Sequence, residues 1–193
     1  MTNNFPKVTI VTVTYNAEKY LEQTIKSVIK QDYPNIEYII IDRASSNRTV
    51  GIIKEYQKYI SYWTSEPDSG IYDAMNKGID IATGEWINFM NAGDSFAEPS
   101  TISNVINNLD KNTDIIAGDI YYLENSKSTY KKSYGLDKKF DGMFCCHQAM
   151  FVKTYLMKKY KFNTIYKIVA DYDFTLKCAM NNYNFQFVDF AVA

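Results

Sequence analysis

The chain has 193 residues with 21 basic and 22 acidic side chains, a formal net charge of −1, and is 46% hydrophobic and 22% charged. Such a balance excludes wholesale disorder, suits one domain with a sizeable core, and lacks the basic footprint of a nucleic-acid binder, so no nucleic-acid partner is expected.

In chain order, Val8–Thr14 is a β-branched run that reads as a strand. Asn16 stands where the next helix would take its N-cap, and Tyr20, Leu21, Ile25, Val28 and Ile29 follow at helical spacing until Tyr33-Pro34-Asn35 ends the run. Glu37–Ile41 is a short apolar strand of the kind buried on both faces. Ser45–Thr49 supplies cap residues for a second helix that turns Ile52, Ile53 and Tyr56 inward, and Tyr62–Ser65 is a third strand. Gly70–Ile81 predicts a third helix with Ile71, Ala74, Met75 and Ile79 on one side, and Glu85–Met90 a fourth strand that stops at Asn91-Ala92-Gly93-Asp94.

This alternation implies parallel strands joined by right-handed crossovers, in an α/β sheet whose ligands bind beyond the carboxyl ends of the strands. Tyr15-Asn16, Asp42–Ser46 and Asn91–Ser95 are therefore the loops of interest.

The second half is less regular. Ile115–Tyr122 and Ser128–Tyr134 read as paired strands with a turn at Glu124–Lys127, Gly135–Gly142 as a flexible loop, Gln148–Val152 as a strand and Lys167–Asn182 as a helix. The apolar segment Phe185–Val192 comes right at the end, which predicts a functional unit that continues past residue 193.

The 3 cysteines include no CxxC pair, a usage that suits a reducing cytoplasm, and no apolar run approaches the length of a membrane span. Cys145, Cys146 and His147 are consecutive, which on an extended strand points neighbours to opposite faces and disfavours a metal patch.

Taken together, Val8–Asn16, Ile41-Asp42 with Ser45 and Thr49, the stretch Ser65-Glu66-Pro67-Asp68-Ser69-Gly70-Ile71-Tyr72-Asp73-Ala74-Met75-Asn76-Lys77-Gly78, Ala82–Ile87 leading into Asn91–Asp94, His147-Gln148, and Ala170–Asp173 resemble family 2 glycosyltransferases over nearly the whole chain. The resemblance implies a GT-A fold, a mostly parallel Rossmann-like sheet flanked by helices with a smaller mixed acceptor-side region. Residues 1–96 would form the nucleotide-sugar-binding half and 97–193 the acceptor-side half of the same domain. It further implies a UDP-, GDP- or dTDP-linked sugar donor, Mg2+ or Mn2+, inversion at the anomeric carbon, and a carbohydrate or lipid-linked acceptor. The similarity to bacterial surface-polysaccharide enzymes adds a cytoplasmic setting and peripheral association with the inner face of the membrane.

By the same resemblance Asp94 is the metal ligand, at the last acidic position of the family's DxD-type motif, and Asp171 is the catalytic base. A hard cation held by a carboxylate stabilises a departing diphosphate, and a carboxylate beside the acceptor hydroxyl can take its proton. Asp173 is the rival base, but it stands four residues before Lys177 and can pair with it, whereas Asp171 shares a face with Phe174 and Cys178. Tyr15, Asn16, Asp42, Arg43, Asp73 and Asn91 fall on the donor side, with Asn16 equally suited to a helix cap. His147 and Gln148 fall on the acceptor side, with a structural role open for His147.

The chain departs from the family's Asp-Gly-x-Ser-x-Asp-Gly-Thr at Arg43, Asn47 and Arg48, and at Asn91 and Gly93, positions often acidic in relatives. Arg43 would either grip a phosphate or obstruct a base. A weakly active, nucleotide-binding relative is the alternative reading. A nucleotidyltransferase or a dinucleotide-dependent dehydrogenase is disfavoured because no glycine precedes Gly51.

Overall fold

Seven consecutive β-branched residues with no charged side chain suit a strand covered on both faces, and β1 (Val8–Thr14) is buried along its whole length. The structure, a computed structural model, describes residues 5–125 and 127–193, so the turn expected at Glu124–Lys127 lies partly outside the described residues. After β1 come α1 (Leu21–Ile29), β2 (Ile36–Asp42), α2 (Thr49–Glu55), β3 (Tyr62–Ser65), α3 (Ile71–Ile81), β4 (Trp86–Phe89) and α4 (Thr101–Asn107). The second half adds β5 (Ile115–Glu124), β6 (Lys127–Lys131), β7 (Met150–Lys153), α5 (Thr154–Tyr160), α6 (Ala170–Met180) and β8 (Phe185–Ala191).

The strands form one 8-stranded sheet in the order β3-β2-β1-β4-β7-β5-β6, with β8 alongside β5. β1 is parallel to β2 and β4, and β2 to β3, in registers that set Thr14 beside Asp42 and Asp42 beside Ser65. The carboxyl ends of these strands therefore share one edge. β7 runs antiparallel to β4, with Ile87 beside Val152. That reversal matters for the site, because it brings the start of β7, and the 3-10 turn His147–Ala149 before it, to the same edge.

Alternate residues of the strands feed two cores. Val11, Val13, Ile39 and Ile41 pack with α3, α5 and α6, while Val8, Ile10, Tyr38 and Ile40 pack with α1, α2 and α4. α3 lies so close to the sheet that a Cβ on Gly78 would sit 2.5 Å from a Val11 methyl, which explains a glycine inside a helix.

Several boundaries differ from expectation. Asn16 does not cap α1: the helix begins at Leu21, Tyr20 makes no side-chain cap bond, and Asn16 adopts φ 48 in the preceding loop. Ile71 is exposed rather than turned into the core. The last long helix starts at Ala170, not Lys167, and Ile168 and Val169 remain exposed. Gly135–Gly142 is not wholly irregular, since Leu136–Lys138 forms a 3-10 turn. No described helix is long and apolar enough to cross a membrane.

Candidate active site

The loop after β4 is held from outside. Thr24, buried on the inner face of α1, accepts the Gly93 N–H at 3.0 Å and donates to the carbonyl of Asp94 at 2.7 Å, while the Asp94 N–H closes a turn onto the Asn91 carbonyl. Gly93 has φ 114, a conformation L side chains rarely adopt, so any other residue there would strain this turn. Asp94 itself is half-buried. Burial pushes its carboxyl above the ordinary value, and the charge of His147 and the Asn91 backbone only partly offset that.

On one side of the loop lies a cavity of about 240 Å³, reached by Tyr15, Arg43, Asp68, Ile71 and Asn91. The Arg43 guanidinium sits 5.1 Å from the centre of the Tyr15 ring and its Nε is 3.1 Å from Oδ1 of Asp68. Asn91 is buried and its Oδ1 has no hydrogen-bond partner, a polar atom in want of a donor. On the other side lies a cavity of about 440 Å³ bordered by Asp94, Gln148, Tyr121, Tyr122 and Leu123. Asn91–Asp94 is the partition between the two.

Behind the partition runs a chain of hydrogen bonds. The Asn91 amide lies 3.1 Å from His147 Nε2, and His147 Nδ1 lies 3.1 Å from Asp171 Oδ2. Asp171 Oδ1 accepts the Tyr172 N–H and faces the Tyr72 hydroxyl, each at 3.0 Å, and that hydroxyl also reaches the Ile168 carbonyl at 2.5 Å. Burial alone would raise the Asp171 carboxyl, but the His147 imidazole, the Tyr72 hydroxyl and the Tyr172 N–H together outweigh it and hold the carboxyl below its usual value. Asp173 instead pairs with Lys177 at 2.6 Å, as the four-residue spacing anticipates.

The remaining candidates are placed elsewhere. Asp42 is fully buried and does not meet the cavity; its oxygens are taken by the Ser45 N–H, the Ser45 hydroxyl and the Ser65 hydroxyl. That carboxylate braces the loop, because β3 sets Ser65 directly beside it. Asn16 binds the loop after β2, accepting the Ser46 N–H and donating its own N–H to Ser45 Oγ. Asp73 accepts the Ser69 N–H and finishes the first turn of α3. Three residues given no role from sequence complete the site: Asp68, Tyr72 and Thr24. Asp68 and Tyr72 lay within the stretch that carries the resemblance, and the signal of Thr24 was a hydroxyl on the apolar stripe of Leu21, Ile25 and Val28.

No group of three or more His, Cys, Asp or Glu among the described residues is placed to hold a metal ion. One half-buried carboxylate, Asp94, nonetheless fits Mg2+ or Mn2+, which bind through one or two carboxylates and take further oxygens from substrate phosphates and water. The thiols of buried Cys145 and half-buried Cys146 are pushed up, not down, and do not suit thiolate ligation.

The chain is 28% identical over 184 residues to a PGL/p-HBAD biosynthesis glycosyltransferase of Mycobacterium tuberculosis, covering 91% of this chain and 71% of that protein. Its fold matches the crystal structure of Staphylococcus aureus TarS 1-349 in complex with UDP, with a TM-score of 0.81 and 21% identity over 96% of this chain and 59% of that one. It also matches the mannosyltransferase PcManGT of Pyrobaculum calidifontis in complex with GDP-Man and Mn2+, with a TM-score of 0.77 and 19% identity over 97% of this chain and 56% of that one. The chain thus spans less than two thirds of either solved structure, and the shared fold is GT-A. The sequence pattern of glycosyl transferase family 2 matches residues 9–177, and the chain belongs to that family.

Proposed function

We propose that this chain moves a sugar, with inversion, from a nucleotide-sugar donor to a hydroxyl of a carbohydrate or lipid-linked acceptor in bacterial polysaccharide or glycolipid assembly. The observation that carries the reading is the partition: one cavity borders Tyr15, Arg43 and Asn91, the other borders Asp94 and Gln148, and the Asn91–Asp94 loop divides them. A nucleotide in the first cavity would direct its diphosphate toward the loop, and an acceptor in the second would approach the sugar from the other side. Attack opposite a leaving group, in one displacement, inverts the anomeric carbon.

Tyr15 offers a ring for the base, Arg43 a fixed positive charge for a phosphate, and the unpartnered Asn91 oxygen an acceptor for a donor hydroxyl. Asp94 would hold Mg2+ or Mn2+, which when bound neutralises charge on the departing diphosphate. Asp171 and the imidazole it holds form the proton-accepting end. The solved relatives carry UDP, UDP-GlcNAc or GDP-Man, which supports a nucleotide-sugar donor here. A lipid-linked acceptor would set this work at the cytoplasmic face of a membrane, with peripheral association.

The test is calorimetric titration of UDP, GDP and dTDP with and without Mn2+, followed by release of nucleotide from the matching sugar donors. Metal-strengthened binding of one diphosphate and release from its sugar donor are expected. Binding with no release from any donor would instead support a nucleotide-binding protein of weak activity, with Arg43 and the single loop carboxylate as the reason.

A further inference from the structure

Residues 164–169 are exposed without a break, and four of the six are apolar or aromatic: Ile165 is 81% exposed and Ile168 82%, with Tyr166 and Val169 alongside. Single exposed apolar side chains are ordinary, but a run of them at the edge of a site marks a surface that meets something.

The run is fastened in place. The Ile168 carbonyl accepts from the Tyr72 hydroxyl that also faces Asp171, and Val169 leads directly into α6. A second segment is tied to the same end of α6: the Tyr172 hydroxyl donates to the Lys139 carbonyl at 2.6 Å, and Leu136 packs on the core that holds Ala170 and Phe174. This segment presents Phe140 and Tyr134, both well exposed. Lys131 and Lys132 line a cavity of about 220 Å³ with Tyr134 and with Cys146, the residue before His147. The two segments therefore flank the Asp171 end of the site.

Lysines are interleaved with these side chains. Residues 131–142 and 163–169 carry five lysines against two aspartates in a chain of net charge −1, so this face is basic and the remainder acidic. Lys138 pairs with Asp141, while Lys139 lies 4.9 Å from the centre of the Phe140 ring and Lys131 4.0 Å from that of Tyr122. The core of a protein–protein interface is depleted of lysine. A bilayer interface mixes the two kinds of group: apolar and tyrosine side chains enter the acyl boundary, and lysine stems lie along them with their ammonium groups among the lipid phosphates. Resting on the transferase reading with a lipid-linked acceptor, we propose that residues 131–142 and 163–169 form the face by which this chain sits on an anionic bilayer. Seated in this way, the chain meets a lipid-linked hydroxyl at the Asp171 end of its site while the lipid stays in the membrane.

The probe is a vesicle, and no transfer need be observed. The chain should co-sediment with vesicles of phosphatidylcholine that contain phosphatidylglycerol, and not with phosphatidylcholine alone. Lys132→Gln and Lys167→Gln should each weaken that partitioning about fivefold, and Ile165→Ser combined with Ile168→Ser more than about tenfold. All four side chains are exposed, so thermal midpoints should not change. On the anionic vesicles, the indole of Ile168→Trp should shift its emission to the blue and be quenched by brominated acyl chains. Failure to bind, equal binding to both vesicles, or binding untouched by the four substitutions overturns the proposal. So does a dimer that the two serines dissociate while vesicles are ignored, which gives the face to a second copy of the chain. Vesicle binding as expected, with no nucleotide released from any sugar donor, is a separate failure, that of the transferase reading.

Discussion

The Asp68 side chain is 1% exposed, and its ion-pair partner Arg43, 3.1 Å away, is 44% exposed and lies over Tyr15. Asp68 also accepts the Gly70 N–H at the entrance to α3. The pair therefore joins the loop after β2 to the start of α3. Arg43→Ala leaves Asp68 buried with its charge uncompensated, and should lower stability by about 1–3 kcal/mol. Adding Asp68→Asn should recover part of that loss. Urea unfolding of the two single variants and the double variant measures the coupling.

Asp94 presents the reverse case, a carboxylate that the fold disfavours. Its pKa is raised by burial, so ionising it destabilises the native state, and the penalty builds as pH rises above the ordinary carboxylate value, near 4. Asp94→Asn should accordingly raise the thermal midpoint of the free protein at pH 7. The same change should remove a ligand worth several kcal/mol, weakening Mn2+-dependent diphosphate binding more than about tenfold. Midpoints at pH 4 and pH 7, read beside titrations with and without Mn2+, check both halves. A lower midpoint at pH 7 would contradict the first.

For Asp171 the sign is opposite. Its folded pKa lies below the unfolded value, so its contribution is present above about pH 4 and is lost as pH falls through the depressed folded value. Asp171→Asn should therefore cost about 1–3 kcal/mol at neutral pH. The gap between wild type and variant should close in acid, as followed by denaturant midpoints from pH 7 downward.

Gly78→Ala drives a methyl to within 2.5 Å of Val11 in the middle of β1. Overpacking of this kind destabilises by about 1–3 kcal/mol. Val11→Ala costs stability by itself, yet it should partly relieve Gly78→Ala when the two are combined. Additive losses in the double variant would show that α3 shifts away from the sheet instead.

Local pattern carried the first half of the fold well. The run Val8–Thr14 and the apolar segment before Asp42 could be nothing but buried strands, and the pairing of Asp173 with Lys177 follows from one turn of helix. What local pattern missed shares a cause, which is partners far away in sequence. Asp42 looks available until β3 brings Ser65, 23 residues on, against its carboxylate. Asn16 looks like a cap until its side chain is seen to serve Ser46, 30 residues on. The contact of His147 with Asp171 exists because β7 reverses direction beside β4, and no spacing within either segment announces that reversal. The helices α4 and α5 have only 7 residues each, about two turns, too few for a periodic stripe to stand out.

The two ends of the proposed chemistry are mounted on opposite layers of the molecule. Thr24 of α1 anchors the loop of Asp94 from one face of the sheet, whereas α6 carries Asp171 on the other. The gap across which a sugar would travel is therefore set by how thick the sandwich is and how its layers slide. Repacking a methyl group deep between sheet and helix, remote from every reacting atom, would retune that gap as surely as a change in either acid.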